Sequence, residues 1–290
     1  MKVCGFTIVR NAVTYDYPVC ESIASVLPLV DEFIVLIGNS DDDTLQRIEA
    51  IGSDKVKIHH SIWDDSLREG GRVLAVETDK AQALIAEGFD WAIYIQADEV
   101  LPEKSHDVLR AAMLQWKDDI QTEGLLLNYL HFYGSYHYVA DSRKWYRAEI
   151  RVIRPGKGID SWKDAQGFRK DGRKLNVRVS GATMHHYGWV KPPEQQQAKQ
   201  RFFHKLWHSD DWVNRHVGAN DKFDYSGIDS VKIFEGSHPE VMQARIEAQS
   251  WEVSIDPMKK KLKLSYRLSQ WVERLTGWRP GEYKNYRVLG

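Results

Sequence analysis

Cysteine is scarce in this chain, with two among 290 residues, Cys4 and Cys20. Two thiols cannot form a disulfide framework, which excludes the small stapled secreted folds and suits a reducing compartment. Long apolar runs are missing too. No stretch approaches the ~18–20 residues that a membrane-spanning helix needs. Arg10 and Asn11 interrupt the apolar start, so residues 1–13 do not read as a secretory signal. A dominant charge is absent, because 40 basic residues against 41 acidic ones leave a net of −1. That balance argues against a nucleic-acid partner. The chain has no Gly-X-Y or heptad register and no internal repeat, which excludes collagen and coiled coil. The expectation is a soluble cytoplasmic protein. Apolar residues make up 42%, enough for a sizeable core and too many for a disordered chain. The surplus is aromatic, with 11 Trp and 13 Tyr, whose flat faces grip sugars and bases or fill ordinary cores.

The first hundred residues alternate between two periods. Residues 3–9, 33–37, 56–58 and 91–95 are short apolar runs that predict buried strands. Residues 17–27 carry Val19, Ile23, Val26 and Leu27 at helical spacing, residues 44–50 follow a capping Asp43 or Thr44, and residues 73–87 stop at Gly88. This β-α-β-α order predicts an α/β fold, a mostly parallel sheet flanked by helices. Ligands of such sheets sit beyond the carboxyl ends of the strands. That edge gathers Arg10 and Asn11, residues 38–43, and residues 96–99, all polar or acidic. From Gly124 the texture becomes aromatic and alternating, predicting further, partly antiparallel strands around residues 125–138, 149–154 and 176–184. Helices are expected at 194–208 and 241–251.

The most informative segment is residues 89–100, where a buried strand delivers Asp98 and Glu99 at its carboxyl end. One reading is an acidic turn opening the helix after Pro102. The other is that Asp98 binds a divalent cation. Carboxylate oxygen suits Mg²⁺ or Mn²⁺, which in turn hold a substrate diphosphate.

Four blocks in order then resemble a family. Thr7-Ile8-Val9-Arg10-Asn11 is similar to a strand ending in Asn, and residues 21–27 follow it. Residues 31–35 lead to Asn39-Ser40-Asp41-Asp42-Asp43-Thr44, similar to DDGSxDxT, and Ile95-Gln96-Ala97-Asp98-Glu99 is similar to LDADE. Together they resemble the nucleotide-sugar half of GT-A glycosyltransferases of the inverting family 2. The resemblance implies a GT-A-like α/β fold and transfer of a sugar from a nucleotide-sugar donor to a hydroxyl acceptor with inversion, using Mg²⁺ or Mn²⁺. It implies donor contacts at Val9, Arg10, Asn11, Asn39, Ser40, Asp42, Gln96, Ala97 and Asp98. It implies cation ligands at Asp98, with Glu99 as a second carboxylate. The chain departs from the pattern at Ile37 and Gly38, where the family has acidic residues, and at Gln96, which replaces the first Asp of DxD.

A further ligand is expected after the later strands. Alternation puts His185 and His186 on opposite faces, and the resemblance favours His186 for the cation or diphosphate. The alternative is an ordinary hydrogen-bonded histidine. The general base is expected between the acidic motif and these histidines, among Asp141, Glu149, Asp160 and Asp164. Asp164 is preferred and Glu149 is second, the latter flanked by Arg147 and Arg151 and so open to a purely ion-paired role. Arg143, Lys144 and Arg147 read as an anion clamp or as a solvated face.

The reading divides the chain into residues 1–235, a transferase domain with a nucleotide-sugar half (1–101) and an acceptor half (102–235), and a helical basic C-terminal extension, 236–290. From Pro257 onward nine basic residues face two acidic ones, a net of +7. Leu264, Leu268, Trp271 and Leu275 form a helical stripe there, which either packs on the protein itself or lies on the inner membrane face. The expected partners are a nucleotide-sugar and a glycan or lipid-linked acceptor, in cell-surface polysaccharide or lipopolysaccharide assembly. The competing readings are a degenerate domain that binds a glycan or a partner, and a nucleotidyltransferase.

Overall fold

The computed structural model describes residues 1–67, 69–217, 220–262 and 264–290. Strand β1 (Val3–Val9) contains no charged residue and is buried along its whole length. Helix α1 (Val19–Val26), β2 (Glu32–Ile37), α2 (Thr44–Glu49) and β3 (Val56–His60) follow. Helix α3 (Arg72–Ala83) then leads to β4 (Trp91–Tyr94). β1 pairs in parallel with β2 on one side and β4 on the other, and β2 pairs in parallel with β3. Parallel neighbours need crossovers, which the intervening helices supply. Strands covered on both faces read as continuous apolar runs, which is why period-two alternation is missing from them. Ile23, Phe33, Val35, Trp91 and Ile93 fill one face of the sheet, and Phe6, Ile34, Leu36, Tyr94 and Ala81 fill the other.

Beyond β4 the pairing is mixed. The short β5 (Glu99–Val100) precedes α4 (His106–Gln115), β6 (Gly124–Tyr133), β7 (Ser135–Ala140) and β8 (Ala148–Ile153). β8 runs antiparallel between β4 and β6 and so joins the two halves of the sheet. A separate three-stranded antiparallel sheet, β9 (Ile159–Trp162), β10 (Gly167–Lys170) and β11 (Arg173–Lys174), was not legible in the apolar pattern. The long β12 (Asn176–Trp189) lies parallel to β6 and antiparallel to β5. It places His186 opposite His131 on one neighbour and opposite Glu99 on the other.

The remaining elements are α5 (Pro193–Lys205), α6 (Asp210–His216), β13 (Val231–Ile233), α7 (Gln243–Glu247), α8 (Leu264–Thr276) and β14 (Arg287–Val288). The helix expected over 241–251 shrinks to a 3-10 turn followed by the five residues of α7. The C-terminal segment returns to the sheet, where β14 pairs with β12. Its Glu273, Glu282, Lys260 and Arg279 are ion-paired within the chain. Glu273 takes Arg143, Arg147 and Arg279, Glu282 takes Arg147, and Asp141 takes Lys260. The cluster read as an anion clamp is therefore ion-paired, with Lys144 on Asp229. Trp271, Leu275 and Trp278 are exposed. Lys263 and the side chains of Leu264, Arg267, Leu268 and Arg274 lie outside the described residues.

One ion pair ties the halves together. Glu99 on β5 and Arg151 on β8 are both fully buried, with Arg151 Nε donating to Oε2 at 2.8 Å and Nη2 to Oε1 at 2.7 Å. Tyr129 Oη donates to Oε1 at 2.7 Å. Removing one member of such a pair strands the other charge in the core. Arg151→Leu should therefore lower unfolding free energy by ~3–5 kcal/mol in urea melts. A loss of under about 1 kcal/mol would show that Glu99 does not depend on this guanidinium.

Candidate active site

The carboxyl ends of β1 and β4 meet at a cavity of about 490 Å³. Val9, Arg10, Gln96, Ala97 and Asp98 line it from the sheet, Asp164 from the loop after β9, His186 from β12 and Lys199 from α5. Tyr17, Trp63, Trp145, Trp189 and Phe202 supply aromatic walls. The other expected donor contacts are occupied in bracing one loop against the next. Asn11 Oδ1 accepts from the Asp41 amide at 2.8 Å, and Ser40 Oγ accepts from the Asn11 amide at 3.0 Å. Asp42 caps Thr44 and accepts from the Thr14 amide at 2.7 Å. Asn39 holds the Trp63 amide and, through its carbonyl, Arg10 Nε. Gly38, one of the two departures from the acidic pattern of DDGSxDxT, lies under the Trp63 indole, and a Cβ there would come within 2.4 Å of Nε1.

Asp98 sits one residue before β5, pinned by its carbonyl accepting from the Tyr187 amide at 2.8 Å. Lys199 Nζ donates to Asp98 Oδ2 at 3.0 Å and to the Gly188 carbonyl at 2.8 Å. His186 Nε2 faces Asp98 Oδ1 at 3.7 Å. Burial alone would raise the Asp98 carboxyl, but the Lys199 ammonium, His186 and Lys191 outweigh it and hold the group well below the usual carboxylate range. Burial pushes His186 down from its ordinary value. His185 points the other way, into a ring cluster with Phe132, Tyr187, Phe234 and His238.

Asp164 lies between Lys163 at φ 57° and Ala165 at φ 60°. Two consecutive-but-one left-handed residues without glycine are strained, and such strain persists where the surroundings impose it. The surroundings here are Gly71, whose missing Cβ would meet Asp164 Cβ at 2.8 Å, and Gln96, whose Nε2 donates to the Ala165 carbonyl at 3.3 Å. A carboxylate at position 96 could not make that bond, so glutamine here serves the loop. Burial raises the Asp164 carboxyl. Glu149 does not reach this cavity. It lines an adjoining groove of about 510 Å³ that shares Trp145, Tyr146, Asp164 and Gln166 with it. The alternative of a purely ion-paired Glu149 is not realised, since Arg147 goes to Glu282 and Glu273 and Arg151 to Glu99. Gln166 Nε2 donates to it at 3.1 Å instead.

Whether a divalent cation fits can be judged from the donors. Glu99 must be set aside as a ligand, because both of its oxygens are taken by Arg151, Tyr129 and the Gln96 amide inside the core. Among the described residues no group of three or more His, Cys, Asp or Glu side chains is arranged to hold a metal. Asp98 and His186 remain, and they face a gap kept open by Gly188. A Cβ at 188 would come within 2.6 Å of Asp98 Oδ2 and 2.7 Å of His186 Nε2. One or two protein ligands completed by substrate phosphate oxygens is the ordinary arrangement for Mg²⁺, so the two residues fit.

Two members of the site left no signal in the sequence. Lys199 belongs to the buried face of α5, which is Gln196, Gln197 and Lys199, not an apolar stripe. His131 stands alone in an aromatic strand and meets His186 only through sheet register.

No protein-family model matches this chain, and no curated protein does. Among solved structures it is similar to S. aureus TarS at 15% identity, covering 70% of this chain but 39% of that one, with a TM-score of 0.38. It is similar to residues 1–349 of S. aureus TarS in complex with UDP at 14% identity, with coverages of 73% and 68% and a TM-score of 0.38. It is also similar to Mycobacterium tuberculosis glucosyl-3-phosphoglycerate synthase in complex with Mn²⁺, UDP and phosphoglyceric acid. That match has 19% identity, covers 45% of this chain and 43% of that one, and has a TM-score of 0.30.

Burial, with Glu99 adding repulsion, pushes the Glu149 carboxyl up to about 7. The folded state therefore holds this proton more tightly than the unfolded chain does. Stability from it is present below the ordinary glutamate range and is lost as pH rises through about 7. Glu149→Gln should raise the melting temperature more at pH 8 than at pH 5, and an equal shift at both would place the titration elsewhere.

Proposed function

We propose that this chain is a GT-A, family 2-like glycosyltransferase that moves a sugar from a nucleotide-sugar donor to a hydroxyl acceptor with inversion. One observation carries the reading. The carboxyl edge of the parallel strands gathers into one cavity a charged end, Asp98 with His186 and Lys199, and a separate carboxylate, Asp164, on a strained loop.

The donor diphosphate is assigned to the Asp98 end. Asp98 and His186 are the residues that would hold Mg²⁺ or Mn²⁺, which when bound would offset charge on the departing diphosphate. Lys199 brings an ammonium to the same place. Arg10, fixed by Asp65 at 2.7 Å and lying over Trp63, stiffens the wall where the nucleoside would lie. Asp164 accepts the proton of the acceptor hydroxyl as that oxygen attacks the anomeric carbon from the face opposite the diphosphate. A carboxyl raised by burial is a better proton acceptor than a solvated one. Glu149, the second candidate, borders the acceptor side. The adjoining groove, walled by Trp162, Tyr266, Tyr283 and Tyr286, is assigned to an acceptor glycan, which aromatic faces suit. A lipid-linked acceptor and a role in cell-surface polysaccharide assembly belong to the same proposal, as does membrane contact through the exposed Trp271, Leu275 and Trp278. No described helix is long and apolar enough to cross a membrane.

The deciding experiment is calorimetric titration with a panel of nucleoside diphosphates, with and without Mn²⁺, followed by transfer assays with the nucleotide-sugar that binds. No binding by any of them would leave the degenerate, partner-binding reading. Asp164→Asn should keep nucleotide affinity and lose ~10²–10⁴ in turnover. Asp164→Asn at wild-type rate would pass the base role to Glu149. Gly188→Ala should keep the circular dichroism spectrum and weaken nucleotide binding in Mn²⁺, because its methyl group enters the gap between Asp98 and His186. Unchanged binding would move the diphosphate away from that gap.

A further inference from the structure

Three strands set His186 between two buried neighbours. Its register partners are Glu99 on β5 and His131 on β6, so the three side chains stand on one face of the sheet. His131 is buried, at 3% exposure, and its ring is packed by Tyr129, Trp145 and Tyr146. Its Nε2 lies 2.8 Å from the Tyr146 carbonyl, and its Nδ1 lies 3.1 Å from His186 Nδ1.

The hydrogen bonds fix the protons. A carbonyl oxygen only accepts, so His131 Nε2 must carry the hydrogen. A ring whose hydrogen is on Nε2 alone has a lone pair on Nδ1. His186 Nδ1 must then donate to it. In a neutral His186 this leaves Nε2 without hydrogen, and that is the atom facing Asp98 Oδ1 at 3.7 Å. Free imidazole side chains in water prefer hydrogen on Nε2, so the arrangement is imposed by the neighbour. We propose that His131 is a positioning residue: through the chain Tyr146 carbonyl, His131, His186 it holds His186 in the Nδ1–H tautomer and aims a bare Nε2 at the gap beside Asp98, ready for a cation. The last step rests on the reading of Asp98 and His186 as cation ligands, while the tautomer does not.

The test separates the two. In full-length, metal-free protein labelled with ¹⁵N-histidine, long-range ¹H–¹⁵N correlation spectra report which ring nitrogen of His186 carries hydrogen. The wild type should show Nδ1–H. An Nε2–H resonance for His186 in the wild type would overturn the proposal whatever the activity. His131→Phe removes the acceptor and should move His186 to Nε2–H. It should also weaken Mn²⁺ binding, read from the electron paramagnetic resonance of the free ion, by ~10–100-fold. His131→Asn keeps an oxygen acceptor near the Nδ1 position and should restore both readings, which loss of packing alone would not allow. If the phenylalanine variant fails to fold, the wild-type tautomer and the asparagine variant decide. An unchanged tautomer and unchanged Mn²⁺ affinity in His131→Phe would also overturn it. Nδ1–H in a wild type that binds no Mn²⁺ would support the relay and remove the cation reading.

Discussion

The buried pair of Glu99 and Arg151 is the constraint on which the rest of the cleft depends. Arg151 spends its guanidinium on two tasks at once. Nε and Nη2 hold the Glu99 carboxylate, while Nη1 donates to the Gln166 carbonyl at 2.8 Å. The acidic turn after β4 and the loop that carries Asp164 are thereby tied to the same side chain on β8. Gln96 adds a second tie between those two segments, through the Ala165 carbonyl. A charge pair at zero exposure is a poor source of net stability, since desolvation offsets most of the attraction. What it provides is geometry. The guanidinium fork accepts few other arrangements, so the spacing between Asp98 and Asp164 follows from it.

The adjacent carboxylates of the acidic motif therefore divide their work. Glu99 turns inward and never meets solvent, and Asp98 turns outward and meets the cleft. The sequence puts Asp98 first and keeps Glu99 as a second ligand, because alternation along so short a strand fixes opposite faces without saying which face is core. For His185 and His186 alternation separates the pair, the resemblance favours His186, and the pairing of β12 with β5 and β6 sets His186 on the side of Asp98.

Much of the fold was legible for a physical reason. Strands buried on both faces are written as apolar runs, and β1, β2 and β4 lie where Val3, Phe33 and Trp91 place them. The small sheet β9–β11 was not, because its strands are two to four residues long and mix Asp160, Trp162, Arg169 and Lys170 with few apolar positions. The site was legible wherever a strand ends in a carboxylate, and not where a cation is buried. Lys199 sits 101 residues from Asp98 along the chain, on a helix whose buried face is polar, so no periodicity marks it. Gln96 looked like a lost ligand until its amide was found on the Ala165 carbonyl.

Two of the charges that line the cleft, Asp98 and Arg10, are compensated pair by pair. Lys199 offsets Asp98 and Asp65 offsets Arg10, while no ion pair is made by Asp164 among the described residues. In the proposed function an incoming diphosphate would carry negative charge into this cleft, where an uncompensated anion is costly. It must arrive with its own countercharge or draw Lys199 away from Asp98. The second route frees the Asp98 carboxylate beside the bare nitrogen of His186, and in the proposed function the small gap held open by Gly188 is where donor binding would be decided. The aromatic walls can grip the flat parts of a donor without any charge, so recognition and charge compensation fall to different residues, the rings of Trp63, Tyr17 and Phe202 for the one and Asp98, His186 and Lys199 for the other.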